Sequence, residues 1–288
     1  MNRPKAYIIL HVGLPAFSHY TPEVPVNLND FDAILLDLDG TIYHEEHALP
    51  GAVELIRRLQ RQNKLFACLT NSTSSPARLA ARLKRMGVEL AETSIYTAGV
   101  AAVEYVLHNA SNRVPRIYNL STEGVHDLLD GKVHWVESPT DPCDLVLVGT
   151  PTSVFAAEER QRTALAILRA QPSAKLVGIC ADRVFPSPRG IEFGSGALTA
   201  MLAYAAGVSP VFTGKPEAVF FRTLCARLHV EPSCCVLIGD NLESDIAGGK
   251  RLGMKTILTL TGVARREDLE SLPADQRPDA VVDDLTRL

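Results

Sequence analysis

Four apolar runs of strand length, each ending in a polar cluster and separated by helical patterns, constrain the fold of this chain most. Ala33–Leu36 enters Asp37-Leu38-Asp39-Gly40-Thr41, and Leu65–Leu69 enters Thr70-Asn71-Ser72. Pro210–Thr213 enters Gly214-Lys215-Pro216, and Val236–Ile238 enters Gly239-Asp240, with Asp245 nearby. Helical signals lie between them. Pro50-Gly51 opens a pattern with Val53, Ile56 and Leu59 on one face, and Ser75-Pro76 reads as an N-cap and first helical residue before Leu79, Leu83 and Met86, with Gly87 as the stop. Ala218–Leu228 and Ile246–Leu252 read as helices, the second closed by Gly253, and Thr256–Leu260 as a strand. Such alternation predicts an α/β fold: a doubly wound, Rossmann-like parallel sheet covered by helices.

The middle of the chain has a βα rhythm of its own. Strands are expected at Ile117–Leu120, Leu145–Val148 and Lys175–Ile179, and helices at Ala156–Arg169 and Ala197–Ala206. This stretch is long enough to be a domain. The expected organisation is an irregular N-terminal arm over 1–29, a discontinuous core of 30–111 and 210–288, and an α/β domain inserted at 112–209. A chain of 288 residues, 46% apolar, can bury two such cores.

The strand-end clusters carry the chemistry. In open parallel sheets the ligand crevice lies at the carboxyl ends of the strands, where all four clusters fall. Together they supply four carboxylates, Thr70, Asn71 and the Lys215 ammonium. Carboxylates 4 Å apart repel by about 4 kcal/mol at an effective dielectric near 20, so such a cluster needs protons or a cation. Oxygen-only ligands suit a hard ion, and beside a phosphate Mg²⁺ is the expected one. Alternate residues of a strand face one side, so Asp37 and Asp39 can reach one reacting group, and Gly40 permits the turn. Paired carboxylates with split roles suit covalent catalysis followed by acid–base work.

These motifs resemble the haloacid dehalogenase superfamily. DLDGT, LTNS, GKPE and IGDNLESDIAGGKRLGMKTILTLTG are similar to its four signatures, in order and in spacing. The long gap between the second and third signatures, with GSGALTA before the third, resembles the capped class IIA phosphatases. The inserted segment is then the cap. The resemblance implies that Asp37 attacks phosphorus, and that Asp39 protonates the leaving oxygen and then activates water. It implies that Thr70, the main chain at Asn71 and Lys215 bind the phosphoryl oxygens. Mg²⁺ would be held by Asp37, the main-chain carbonyl of Asp39, and Asp240, with Asp245 in support. Asp182 falls in the loop that tunes substrate choice in such caps, and a homodimer through the cap is implied by the same analogy. Two cap departures, Thr150-Pro151 after Gly149 and Cys180 where an Asn is common, leave the core chemistry intact but no substrate named.

Blander readings stand beside these. Asp245 could serve as the N-cap of the helix starting at Ile246, His44 and His47 suit a solvated loop, and Cys180 a plain small side chain. Gly248-Gly249 suits close helix packing. A receiver-like signalling protein and a catalytically silent binding protein of the same fold are the alternatives to a phosphatase. The net charge of −4 offers no basic stripe for nucleic acid. No apolar run reaches the ~18 residues of a membrane span. Six scattered cysteines without a CxxC pair read as reduced thiols. His11 and Gly13 interrupt the apolar run after Arg3 and Lys5, against a cleaved signal. A small phosphorylated metabolite as partner and a cytoplasmic location are the expectations.

Overall fold

Alternate residues of the strand Ala33–Asp37 face opposite sides of one sheet. Ala33 and Leu35 enter one buried apolar cluster, Ile34 and Leu36 another. A strand covered on both faces is apolar throughout, and so this one reads as a continuous run. The computed structural model describes residues 26–110, 113–150, 156–187 and 189–288; most of the arm expected over 1–29, and Pro151, lie outside them.

Six parallel strands form the first sheet, in the order Ala280–Val282, Lys255–Thr259, Cys235–Gly239, Ala33–Asp37, Phe66–Thr70, Ile95–Thr97. Helices Ala98–His108 and Ala218–Leu228 cover one face through Val103, Val106, Phe220 and Phe221. Helices Ala52–Arg61 and Pro76–Arg85 cover the other through Ile56, Leu59, Leu79 and Leu83. Ser75 caps the latter, its hydroxyl accepting from the Arg78 amide at 3.4 Å. Strand order reverses between Ala33–Asp37 and Cys235–Gly239, which opens a crevice at their carboxyl ends.

A second parallel sheet follows the order Val211–Phe212, Lys175–Gly178, Leu145–Val148, Arg116–Leu120, His134–Trp135. Helices Glu158–Ala170 and Ser195–Ala206 close one face with Ile167, Leu168, Leu198 and Leu202. On the other face Leu145, Leu147 and Val177 belong to the same cluster as Leu35 and Leu69, so the two sheets share buried apolar surface.

Three of the differences from expectation bear on the site. The strand foreseen at Pro210–Thr213 forms over Val211–Phe212 but pairs with Lys175–Gly178, in the second sheet. Gly178 permits this, since a Cβ there would lie 2.5 Å from the Phe212 ring. The helix foreseen from Ile246 splits into a wide turn, Leu242–Ile246, and one helical turn, Ala247–Lys250. There Gly248 lies under the Phe221 ring, as its lack of a side chain suggested. Two antiparallel hairpins, Tyr43–His44 with His47–Ala48 and Val184–Ser187 with Gly190–Phe193, were not foreseen. Among the described residues no helix is long and apolar enough to cross a membrane.

Candidate active site

Asp37 ends its strand with its side chain 7% exposed. The Lys215 ammonium, 4% exposed, donates to Asp37 Oδ1 and to Asp245 Oδ1, both at 2.6 Å. Ligand atoms of Asp37, Asp240 and Asp245 lie within 4.8 Å of one another, and all three residues are buried. One buried cation thus faces three carboxyl groups. Burial, ahead of the opposing pull of Lys215, pushes Asp37 and Asp245 up to about 7. Burial and then Asp245 also raise Asp240. Burial works against the Lys215 ammonium, but Asp245 and Asp37 outweigh it and hold it above the usual lysine range.

Short backbone contacts aim these groups. Gly40 has φ +82°, and any side chain on it would strike the Asp240 carboxylate. The loop after the Lys255–Thr259 strand wraps the other side: the Val263 amide donates to Asp240 Oδ2 at 2.7 Å, and Thr261 Oγ1 to the Gly40 carbonyl at 2.6 Å. Asp245 is not the N-cap of a following helix. Asn241 does the capping, its side chain accepting from the Glu243 and Ser244 amides, which leaves Asp245 to accept from Lys215 and the Asn241 amide.

A cavity of about 680 Å³ opens over this cluster between the two sheets. It is lined by Asp37, Asp39, Thr70, Asn71, Asp182, Lys215 and Asp240. Asp245 lies behind Lys215. Asp39 faces the cavity; partial burial raises its pKa against the attraction of His44, Arg82 and Lys215. His44 lines the cavity from the first hairpin, and His47 does not. Cys180 is buried in the cavity wall, with Sγ 2.9 Å from Ser195 Oγ, and burial pushes its thiol up. All six cysteines are free and five are buried.

Sequence reasoning missed Tyr43 and Arg82, and it gave no role to Thr261-Gly262, which end the fourth signature, or to Val263. Arg82 donates to Glu46 and to the Glu45 carbonyl, and its guanidinium sits 4.7 Å from the Tyr43 ring centre, pinning the first hairpin at the cavity edge. Thr-Gly directly after a strand of the same sheet was the available signal for the loop.

An open α/β sheet with clustered carboxylates at its switch point puts a charged site in the crevice where such sheets bind ligands. A haloacid dehalogenase-like hydrolase model matches residues 34–132, and a HAD-hydrolase-like model residues 212–288. The chain is 27% identical to 5'-nucleotidase YutF of Bacillus subtilis over 90% of this chain and 98% of that one. It is 29% identical to an acid sugar phosphatase of Staphylococcus saprophyticus, over 84% and 92%. The crystal structure of 4-nitrophenylphosphatase from Thermotoga maritima superposes with a TM-score of 0.80, at 28% identity, over 90% and 97%. The chain belongs to the haloacid dehalogenase-like hydrolases. Within them it is a phosphoric monoester hydrolase.

Proposed function

We propose that the protein hydrolyses small-molecule phosphate monoesters in two steps, through an aspartyl phosphate on Asp37. The observation that carries this is the placement of Asp37 and Asp39 on one cavity, with Asp37 held at 2.6 Å by a buried lysine. In the first step a carboxylate oxygen of Asp37 bonds to phosphorus as the ester P–O bond breaks. Asp39, whose pKa burial raises, gives a proton to the leaving oxygen. In the second step Asp39 takes a proton from water as that water attacks phosphorus, which frees Asp37 and inorganic phosphate.

Lys215 spends two of its three N–H donors on Asp37 and Asp245, and the third is left for a phosphoryl oxygen. Thr70 and the main chain at Asn71 serve the other oxygens. Three buried carboxyl groups against one ammonium fit a divalent cation, and their oxygen-only donors suit Mg²⁺. Asp37, Asp240, the main-chain carbonyl of Asp39 and Asp245 would hold it, and it would offset charge on the phosphoryl group. A cavity of about 680 Å³ between two sheets is of the size that takes a small metabolite. The named activities of the relatives, on nucleotides, sugar phosphates and nitrophenyl phosphate, support the same class of substrate.

The test uses Asp39→Asn with Mg²⁺ binding measured on the same variant. Nitrophenolate needs little protonation to leave, so p-nitrophenyl phosphate should give a burst followed by slow turnover, and hydroxylamine should trap the intermediate on Asp37. An alkyl phosphate should show no burst. Equal slowing of both esters without a burst, with normal Mg²⁺ binding, would refute the roles given to the two aspartates.

A further inference from the structure

Asp182 lies in the second sheet's loop, at the cavity, but its carboxylate is already engaged by the first sheet. Asn71 Nδ2 donates to Asp182 Oδ1 and Oδ2 at 3.1 and 3.2 Å, and to the Lys215 carbonyl at 3.1 Å. Asn71 Oδ1 accepts from the Lys215 amide at 2.8 Å. The network permits one orientation of the Asn71 amide, because its oxygen must face an N–H and its nitrogen three acceptor oxygens. Both polar backbone groups of Lys215 are therefore tied to a single side chain, and that side chain is tied to Asp182.

The surroundings hold this junction tightly. A Cβ on Gly214 would lie 2.7 Å from Asn71 Oδ1, 2.7 Å from the Ile179 carbonyl and 2.9 Å from Cys180 Cβ. Glycine alone lets the three segments meet. Behind the loop, Gly194 and Gly196 lie against the Asp182 and Ala181 carbonyls, and Ser195 Oγ donates to the Cys180 carbonyl at 3.0 Å.

We propose that Asp182 is a positioning residue: it orients the Asn71 amide, which fixes the Lys215 main chain and hence the ammonium between Asp37 and Asp245. Seating of the second sheet's loop is thereby coupled to completion of the phosphoryl pocket. The inference rests on the reading of Lys215 as a phosphoryl ligand. It replaces direct substrate contact as the role of Asp182 and makes a different kinetic demand. A substrate ligand changes KM ester by ester, whereas a positioning residue changes kcat by one factor for every ester.

The experiment measures kcat and KM for Asp182→Ala, Asn71→Ala and the double variant, on p-nitrophenyl phosphate, glycerol phosphate and a hexose phosphate. Asp182→Ala should lower kcat by about 10- to 100-fold on all three, the scale of a misplaced catalytic group. The double variant should be no slower than Asn71→Ala. Asp182→Asn, whose side-chain carbonyl still accepts from Asn71, should recover kcat to within about threefold of wild type and shows that the loop folds. Arg183→Ala is the control: Arg183 also crosses to the first sheet, 3.6 Å from Glu243, but both side chains are 84% exposed and kcat should not change. A KM effect confined to one ester with kcat spared, or factors for Asp182→Ala and Asn71→Ala that multiply in the double variant, would overturn the proposal. All comparisons are ratios of steady-state turnover, so failure of the aspartyl-phosphate route in the burst experiment would leave them readable.

Discussion

The two sheets of this molecule share an architecture and differ at their strand ends. In the first, the carboxyl ends carry Asp37, Thr70 and Gly239-Asp240. In the second, the equivalent ends lead into Ser121, Gly149-Thr150 and Ile179-Cys180, all small or neutral. Both are parallel, and they share one buried cluster. The strand ends of both sheets thus meet at one cavity, and the residue types there decide which sheet supplies its cluster of buried charge. The charged set is also costly. Asp37 and Asp245 are pushed up to about 7 because burial outweighs their lysine partner. In the second sheet the prominent carboxylate is Asp144, which accepts from Arg113 and Arg116 and is held down at about 2, chiefly by Arg116. One sheet stores unfavourable charge for function, and the other pairs its charge for structure.

The largest consequence is catalytic. Under the proposed route Asp37→Asn should reduce kcat on p-nitrophenyl phosphate by about three orders of magnitude or more, because it removes the attacking carboxylate. Phe185, which lines the same cavity from the second hairpin, is the contrasting site. Phe185→Ala should alter kcat/KM by about tenfold, and unequally between esters, as loss of an apolar contact does. Steady-state kinetics of both variants on a panel of esters check this. The division between chemistry and selection would break if Phe185→Ala matched Asp37→Asn in size.

The next consequence concerns stability in the absence of divalent cations. The folded state holds protons on Asp37 and Asp245 up to about pH 7, while the unfolded chain releases them near its ordinary carboxylate value. In that window the folded state binds more protons, so stability falls as pH rises. Melting in EDTA should therefore drop by several degrees between about pH 4 and 7, a shift of the size that one or two kcal/mol produces in a chain of this length. Added Mg²⁺ should restore it more at pH 7 than at pH 5, since a cation binds the ionised cluster. Asp245→Asn should flatten the EDTA profile. An unchanged slope in that variant would show that the charge strain lies elsewhere.

The catalytic sheet was legible because its strands are apolar throughout and stop abruptly at charge. Ala218–Leu228 and Leu145–Val148 form over the residues expected. The Ile95–Thr97 strand was not foreseen, because three residues run directly into the helix Ala98–His108. That helix buries Ala98, Ala101, Ala102, Val103 and Val106, most of its surface, and so shows no clear stripe at period 3.6. The partner of Val211–Phe212 was not legible because two residues carry no pattern that could choose between sheets. At the site, strand ends announced Asp37, Thr70 and Asp240. Arg82 was hidden on a helix that reads as a solvated face, and the Asn71–Asp182 contact joins residues 111 apart, which no local pattern encodes.

The smallest effect should have the opposite sign and lie in the second sheet. Asp144 accepts from the Arg116 amide at 2.8 Å, from Arg116 Nη2 at 2.7 Å and from Arg113 at 2.8 Å. Its depressed pKa means that the unfolded chain takes up the proton first as pH falls. The pair's contribution is fully present above the ordinary carboxylate value and is lost as pH drops towards about 2. Asp144→Asn should cost about 1 kcal/mol at pH 7, because both arginines are partly solvated and screening weakens the pairs. Near pH 2 the variant and the wild type should converge, since the wild-type carboxyl is then protonated as well. Denaturant melts at pH 7, 4 and 2.5 measure this, and kcat on p-nitrophenyl phosphate should stay unchanged because Asp144 does not line the active cavity. Stability loss that grows as pH falls would reverse the assigned sign. A fall in kcat would mean that charge pairing in the second sheet reaches the catalytic cluster through the apolar surface they share, and that the two regions are not separate in function.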